Sequence, residues 1–322
     1  MSWLITGGAG YIGSHVVHAM KAAGEQVVVL DDLSTGRAER LPEGVPLEIG
    51  SVLDSEVVSR VLHRHAIAGI VHIAGKKQVA ESVSRPLHYY RENVEGMRVL
   101  LAAAVAADVT RFVFSSSAAV YGMPDVDLVT EKTPCAPINP YGETKLAGEW
   151  LLTAVGRAHG MATASLRYFN VAGAATPALG DEGVSNLVPM VFQRLDAGEA
   201  PRVFGDDYPT PDGTCVRDFV HVTDIATAHV AAAHRLTADP GVEMTLNIGR
   251  GEGVSVAEMI DVIVRVTGKP NVRPRISGRR PGDPARVVAS ADLAHSELGW
   301  EAQHDVRSMV ESAWESWRLR RS

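Results

Sequence analysis

Cysteine is scarce in this chain of 322 residues: Cys135 and Cys215 are the only two, and they lie far apart. That excludes a disulfide-stapled scaffold and suits a reducing compartment such as the cytoplasm. Blocks of basic charge are missing too. Lys and Arg number 31 against 38 Asp and Glu, a net charge of −7, which argues against a nucleic-acid or membrane-surface binder. The basic end Arg318–Arg321 is short and reads as a solvated helix end. No apolar run approaches the roughly 20 residues of a membrane span; the longest, Val99–Ala107, reads as an alanine-rich helix face. Residues 1–15 lack the basic stretch and cleavage site of a secretory leader. Internal repeats and low-complexity tracts are absent. Twelve histidines include His63 with His65 and His221 with Asp224, but neither pair has companions at metal-ligand spacing, so no metal site is expected.

What is present is an ordinary globular composition, 46% apolar and 21% charged. Short apolar, β-branched runs stand at Trp3–Thr6, Gln26–Leu30, Pro46–Ile49, Gly69–Ala74, Arg111–Ser116 and Ala162–Tyr168. Between them, residues 12–23, 54–65, 86–107 and 141–158 carry helical periodicity. Strand and helix alternating at this rhythm predict βαβ units and an α/β fold with a doubly wound parallel sheet. After Asn170 the alternation lapses, Gly and Pro thicken, and Arg217, Arg273, Arg275, Arg279 and Arg280 are spread through the stretch. Residues 1–170 thus read as one domain, rejoined by a strand near 244–249, and residues 171–322 as a smaller α/β substrate-binding domain.

The first strand runs into Gly7-Gly8-Ala9-Gly10-Tyr11-Ile12-Gly13 and then a helix. Glycines at 7, 10 and 13 permit a tight turn and let a pyrophosphate approach the backbone, where helix N–H groups stabilise its charge. Asp31 ends the second strand, where a carboxylate accepts bonds from an adenosine ribose and repels a 2′-phosphate. Strand, turn, helix and acid together predict a Rossmann sheet that binds NAD rather than NADP.

Tyr141 and Lys145 stand one helical turn apart, behind the capping residues Asn139 and Pro140. A neighbouring ammonium and a positively charged nicotinamide both favour the phenolate of a tyrosine whose free pKa is near 10. Ser115, Ser116 and Ser117 end the fifth strand, where a hydroxyl can hold a reacting oxygen. Hydride acceptor, base and oxygen clamp are the minimum for oxidising a secondary alcohol.

With these residues in view the chain resembles the UDP-glucose 4-epimerases, within the extended short-chain dehydrogenase/reductases, over nearly its whole length. The stretches that carry it are TGGAGYIGSH, IAGKKQVAESV, SSSAAVYG, NPYGETK, LRYFNVAGA, DYPTPDGTCVRDFVHV and RRPGDPARVV. The resemblance implies that Ser117 and Tyr141 form the acid/base pair and that Lys145 holds the nicotinamide ribose. It implies a cofactor site bordered by Gly7, Gly10, Tyr11, Ile12, Gly13, Asp31, Ser51, Val52, Ala74, Gly75, Lys77, Asn93, Ser115 and Tyr168. It places a UDP-sugar against Ser117, Asn170, Asn186, Leu187, Phe204, Arg217, Arg280, Asp283 and Val287. Two departures matter. Ser51 stands where the family more often has an aspartate toward the adenine. Val287 is small at a position over the sugar that is bulky in some relatives, which leaves room for an N-acetyl group. Ala118 and Ala119 replace the acids that nucleotide-sugar dehydratases and decarboxylases carry after the strand-five hydroxyl. UDP-glucuronate epimerisation and non-catalytic NAD binding stand as alternatives. The resemblance also implies a homodimer, with residues 86–107 and 141–158 as its candidate faces.

Overall fold

The computed structural model describes residues 1–280 and 282–321; Pro281, within the RRPGDPARVV stretch, and Ser322, at the end of the expected second domain, lie outside them. Thirteen strands are seen among the described residues: β1 Ser2–Thr6, β2 Gln26–Asp31, β3 Leu47–Ile49, β4 Ile67–His72, β5 Arg111–Ser117, β6 Ala162–Tyr168, β7 Asn170–Ala172, β8 Arg202–Phe204, β9 Val216–His221, β10 Glu243–Ile248, β11 Gly253–Ser255, β12 Arg275–Ser277 and β13 Arg286–Val287. Seven form one sheet in the order β10-β6-β5-β4-β1-β2-β3, parallel at every pairing. The sequence reading of a doubly wound parallel sheet is met strand for strand, and β10 rejoins it alongside β6, with Glu243 opposite Thr163 and Ile248 opposite Tyr168.

The strands are apolar on both faces because both faces are covered. One face packs the helices Tyr11–Ala22 and Val222–Ala238 around Ile5, Val29, Leu166 and Leu246. The other packs Ser55–Arg64 and Gly96–Ala106 around Leu4, Ile70 and Phe112. The helix Val222–Ala238 and the segment Asp292–Leu298 with Trp300 therefore join the first core, although they follow residue 170 in the chain. A third core, around Phe192, Ile263 and Trp317, gathers the helices Leu187–Asp196, Val256–Val266 and Val306–Leu319 against β9. The expected helix at 86–107 is in fact three pieces: Pro86–Tyr89, a wider helical turn at Tyr90–Glu95, and Gly96–Ala106. That wide turn carries Asn93 into the site.

Arg320 and Arg321 differ from the solvated helix end that the sequence suggests. Both stack over the Trp317 ring, and Arg320 donates to the carbonyls of Gly180 and Asp181. No helix among the described residues is long and apolar enough to cross a membrane.

Four rings are buried as neutral imidazoles. His15 accepts from the Ala175 N–H, His221 from Thr223, His229 pairs with the Ser115 hydroxyl and His72 with Thr6. Burial pushes His15 and His229 down to about 4 and His72 and His221 down to about 3. Unfolded imidazoles protonate near 6.5, so the unfolded chain binds more protons once pH falls below that value and the fold loses stability down to about pH 4. Asp31 and Asp218, whose carboxyls burial raises, oppose this with the reverse sign. Four groups outweigh two. The thermal midpoint is expected to be several degrees lower at pH 5 than at pH 7.5; equal midpoints in a pH series would refute this account.

Candidate active site

β1 lies between β2 and β4, where the strand order reverses, and the crevice beyond its carboxyl end is where such sheets take ligands. The glycine turn sits there. Gly7 has φ +70°, Gly10 donates to the Gly7 carbonyl at 3.1 Å, and a Cβ on Gly13 would lie 2.0 Å from that same oxygen. Any side chain at 13 would force the helix Tyr11–Ala22 off the turn. That helix begins at Gly10 with no side-chain cap and no acid in its first turn, so its N-terminal amides are left to an anion. Asp31 is 7% exposed; one carboxylate oxygen accepts from Ala9 at 2.9 Å and the other from Leu33 at 2.9 Å. Burial raises its carboxyl, and the two backbone bonds draw it back. A glycine cradle that tolerates no Cβ, open helix amides and a fixed carboxylate at the next strand fit a dinucleotide.

The other expected cofactor residues gather around the same crevice. Ser51 accepts from Leu53 N–H at 3.1 Å, which leaves its hydroxyl proton free to donate. Val52 packs against the start of the helix Gly96–Ala106. Ala74 is held by the Thr6 carbonyl at 3.1 Å and lies against Gly7, where a Cβ would meet its nitrogen at 2.7 Å. Asn93 spends its amide on the protein: it accepts from Lys76 N–H at 2.7 Å and donates to the Lys76 carbonyl and the Thr144 hydroxyl. It thereby pins the Gly75–Lys77 loop to the helix Pro140–His159. Lys77 is half-exposed, 3.9 Å from an Asp181 carboxylate oxygen and over the Tyr11 ring. Tyr168, its phenol pushed well up by burial, sits beside His229. Ser115 takes part through its carbonyl, which accepts from Lys145, and its hydroxyl, which lies between His229 and the Tyr168 phenol.

Ser117, Tyr141 and Lys145 come together at the end of β5. Asn139 caps the helix Pro140–His159 by accepting from Gly142 at 2.9 Å. Lys145 Nζ donates to the Ser115 carbonyl at 2.9 Å, 6.0 Å from the Tyr141 ring centroid and 5.0 Å from that of Phe114. Burial drops Lys145 to about 8, partly countered by Glu149 one turn on. Tyr141 is half-buried. Its phenol is raised by burial and drawn back by the Ser117 hydroxyl. The chain's own groups thus hold the phenol protonated, and the negative form depends on further positive charge.

A cavity of about 360 Å³ opens beside the third core, lined in part by its Val191, Val203 and Phe219. All seven residues expected around the nucleotide other than Ser117 and Val287 line it: Asn170, Asn186, Leu187, Phe204, Arg217, Arg280 and Asp283. Arg280 stacks on Phe204 at 3.8 Å and Arg217 pairs with Asp283 at 3.1 Å. Val287 is 8% exposed and packs with Tyr121, Leu146 and Phe169, away from the cavity wall. Sequence reasoning missed Met190, Arg194, Arg202 and Cys215 in the lining. Met190 and Arg194 lie three and seven residues past Leu187 on its helix face, and Arg202 shares the β8 face of Phe204. That periodicity was the available signal. Among the described residues no group of three or more His, Cys, Asp or Glu could hold a metal.

Residues 3–249 match the model of the NAD dependent epimerase/dehydratase family. The chain belongs to that family. A UDP-glucose 4-epimerase of Azospirillum brasilense is 44% identical over 97% of this chain and 91% of its own length. One of Streptomyces lividans is 44% identical over 97% of this chain and 95% of its own. A crystal structure of UDP-glucose 4-epimerase overlays with a TM-score of 0.95 at 40% identity, covering 100% of this chain and 99% of the other. A structure from Stenotrophomonas maltophila, with bound NAD and formylated UDP-arabinopyranose, gives 0.94 at 40% identity, covering 100% and 99%.

In this family member, Tyr141→Phe keeps the ring and removes the phenol hydroxyl that hydrogen-bonds Ser117. Turnover is expected to fall by roughly 10²–10⁴-fold with the fold intact. A steady-state assay beside a circular dichroism spectrum checks it, and a variant with near-normal turnover would displace Tyr141 from the role.

Proposed function

We propose that this protein interconverts UDP-galactose and UDP-glucose, with NAD as its resident cofactor. The observation that carries the reading is a single phenol–hydroxyl–ammonium group, Tyr141, Ser117 and Lys145, with alanine at 118 and 119. A dehydratase or decarboxylase needs an extra carboxyl group there, and epimerisation at C4 needs none. UDP-glucuronate is the nearest competing substrate, distinguished only at C5.

Bound NAD supplies the oxidant for C4 and then the reductant. Tyr141 takes the proton of the C4 hydroxyl and later returns it to the same oxygen, while Ser117 hydrogen-bonds that oxygen. Lys145, anchored on the Ser115 carbonyl, holds the nicotinamide ribose and adds positive charge beside the phenol. Gly7, Gly10, Gly13, Tyr11 and Ile12 would hold the pyrophosphate with Lys77, and Asp31 would take the adenosine ribose. Ser51 and Val52 border the adenine, and Ala74, Gly75, Asn93 and Tyr168 close the rest of the pocket. Arg217 and Arg280 carry the UDP diphosphate through paired bonds, which an acidic chain must supply locally. Held only by its nucleotide, the sugar is free to present either face of C4 to the crevice, where bound NAD would supply the hydride exchange.

Residues 1–170 with 244–249 are assigned to the cofactor and 171–322 to the UDP-sugar. Cytoplasmic residence accords with two free thiols. A homodimer accords with exposed apolar side chains on the segments Val79–Ser84 and Pro86–Tyr89 and the adjoining helix Pro140–His159: Val83 is 63% exposed, Leu87 85% and Trp150 66%. Nothing else in the fold covers them. Sedimentation velocity is expected to give a dimer for the wild type and a monomer for Trp150→Glu; a monomeric wild type removes the proposal.

The first assay mixes purified protein with UDP-galactose and no added NAD, removes the protein, and converts any UDP-glucose with a UDP-glucose dehydrogenase. Product is expected without added cofactor. No product, even with NAD supplied, would end the UDP-galactose reading. UDP-N-acetylglucosamine, in a parallel arm, is expected to turn over as well, since the small Val287 stays within its buried cluster and sends no bulk toward the cavity; no detectable turnover by protein active on UDP-galactose would overturn that expectation.

A further inference from the structure

A segment after β7 crosses the glycine turn and is fastened on both sides of it. Gly173 accepts from the Tyr11 hydroxyl at 2.7 Å, and Ala175 donates to His15, so the segment lies along the start of the helix Tyr11–Ala22. On the β2 side, Glu182 pairs with Arg37 at 2.7 Å and Arg40 at 3.2 Å, and Arg40 donates to the Gly180 carbonyl at 2.9 Å. Arg37 is itself tied to the glycine turn by its amide, which donates to Ala9 at 3.0 Å. On the β4 side, Asp181 faces Lys77 at 3.9 Å. Arg320 fixes the middle, donating to Gly180 and Asp181.

β1 lies between β2 and β4, so these bonds bridge the two flanks of the turn that would carry a pyrophosphate. We propose that Gly180–Glu182 is a clip that retains the dinucleotide in the crevice, with Glu182 and Asp181 as its two positioning carboxylates. The same Asp181 carboxylate accepts from Asn186 at 3.2 Å, on the wall of the nucleotide-sugar cavity. Filling that cavity therefore bears on the clip directly. Neither carboxylate touches the reacting atoms. Their work is to slow release of a cofactor that must survive many turnovers. The inference rests on NAD being that cofactor.

Glu182 faces both an exposed and a buried guanidinium: Arg37 is 61% exposed and Arg40 6%. Opening the outer pair alone costs little, whereas stripping Arg40 of its acid leaves a buried charge. The test follows dinucleotide release from purified protein after desalting, by filtering aliquots over time and measuring free NAD. Release is expected to quicken about tenfold in Glu182→Ala and about threefold in Arg37→Ala. High salt should speed release from the wild type toward the variant rate. Variants that keep the wild-type thermal midpoint and release NAD at the wild-type rate overturn the clip alone. Should Glu182→Ala fail to fold, Arg37→Ala, whose side chain is mostly in solvent, decides the matter. A wild type that carries no dinucleotide at all overturns the cofactor reading and the clip with it.

Discussion

Tyr141, Lys145 and Glu149 stand four residues apart on one helix face, and the rest of the site is arranged to keep that face hard against β5. The approach is close. A Cβ on Gly142 would lie 2.5 Å from the Ala119 carbonyl and one on Gly148 2.8 Å from the Phe114 ring. Only because the helix sits this near can Lys145 reach the Ser115 carbonyl while its ammonium stays beside Tyr141. The third member, Glu149, is 4% exposed and would be untenable alone. Arg167 on β6 holds it through two bonds, at 2.9 and 2.6 Å, and Ser116 donates to it. Arg167 also donates to the Tyr121 hydroxyl, which bonds Asn247 on β10. A buried pair of this kind adds little net stability but is costly to break. It fixes which strand lies next to which. The catalytic helix is thus registered by a strand that arrives more than a hundred residues later in the chain.

Electrostatics divide the labour in the same way. The net-acidic chain concentrates cations where anions must sit: Arg194, Arg202, Arg217 and Arg280 on the cavity, Lys77 and Lys145 on the crevice. Burial works against two of the chemical groups, raising Tyr141 and lowering Lys145. Glu149 offsets part of that for Lys145. Tyr141 is drawn back by the Ser117 hydroxyl, with the Lys145 ammonium 6.0 Å from its ring, and burial still leaves the phenol favoured. The positive charge of bound NAD would shift that balance toward the phenolate. One residue can then serve both directions without a second acid, consistent with alanine at 118 and 119.

Elements set by local pattern were legible from sequence. β-branched runs gave the strands of the first half within a residue or two, the glycine spacing gave the turn, and the four-residue step gave Tyr141 with Lys145. What escaped was set by distant partners. Val222–Ala238 has a helical pattern, but its place in the first core follows from β10 pairing with β6. The wide turn at Tyr90–Glu95 lies in a stretch without proline or glycine, so no local residue announced it. Ser115 also serves the site by its carbonyl, a role that a reading of side chains does not reach. Arg320 looked like a solvated charge because stacking on Trp317 and bonding to Gly180 depend on a loop far away in sequence.

Val287 stands in close packing behind the cavity lining. It sits on β13, directly opposite Arg217 on β9 in register, within a cluster of Val120, Tyr121, Val129, Leu146, Phe169 and Ala289. Leu146 comes from the helix Pro140–His159 and Phe169 from just after β6, so this cluster joins the large sheet and its helix to β13. A larger residue there would have to displace close-packed neighbours. Its first effect would fall on the spacing of the catalytic helix from the strand that bears Arg217. Packing at this position therefore ties the helix Pro140–His159 to the strand that bears Arg217.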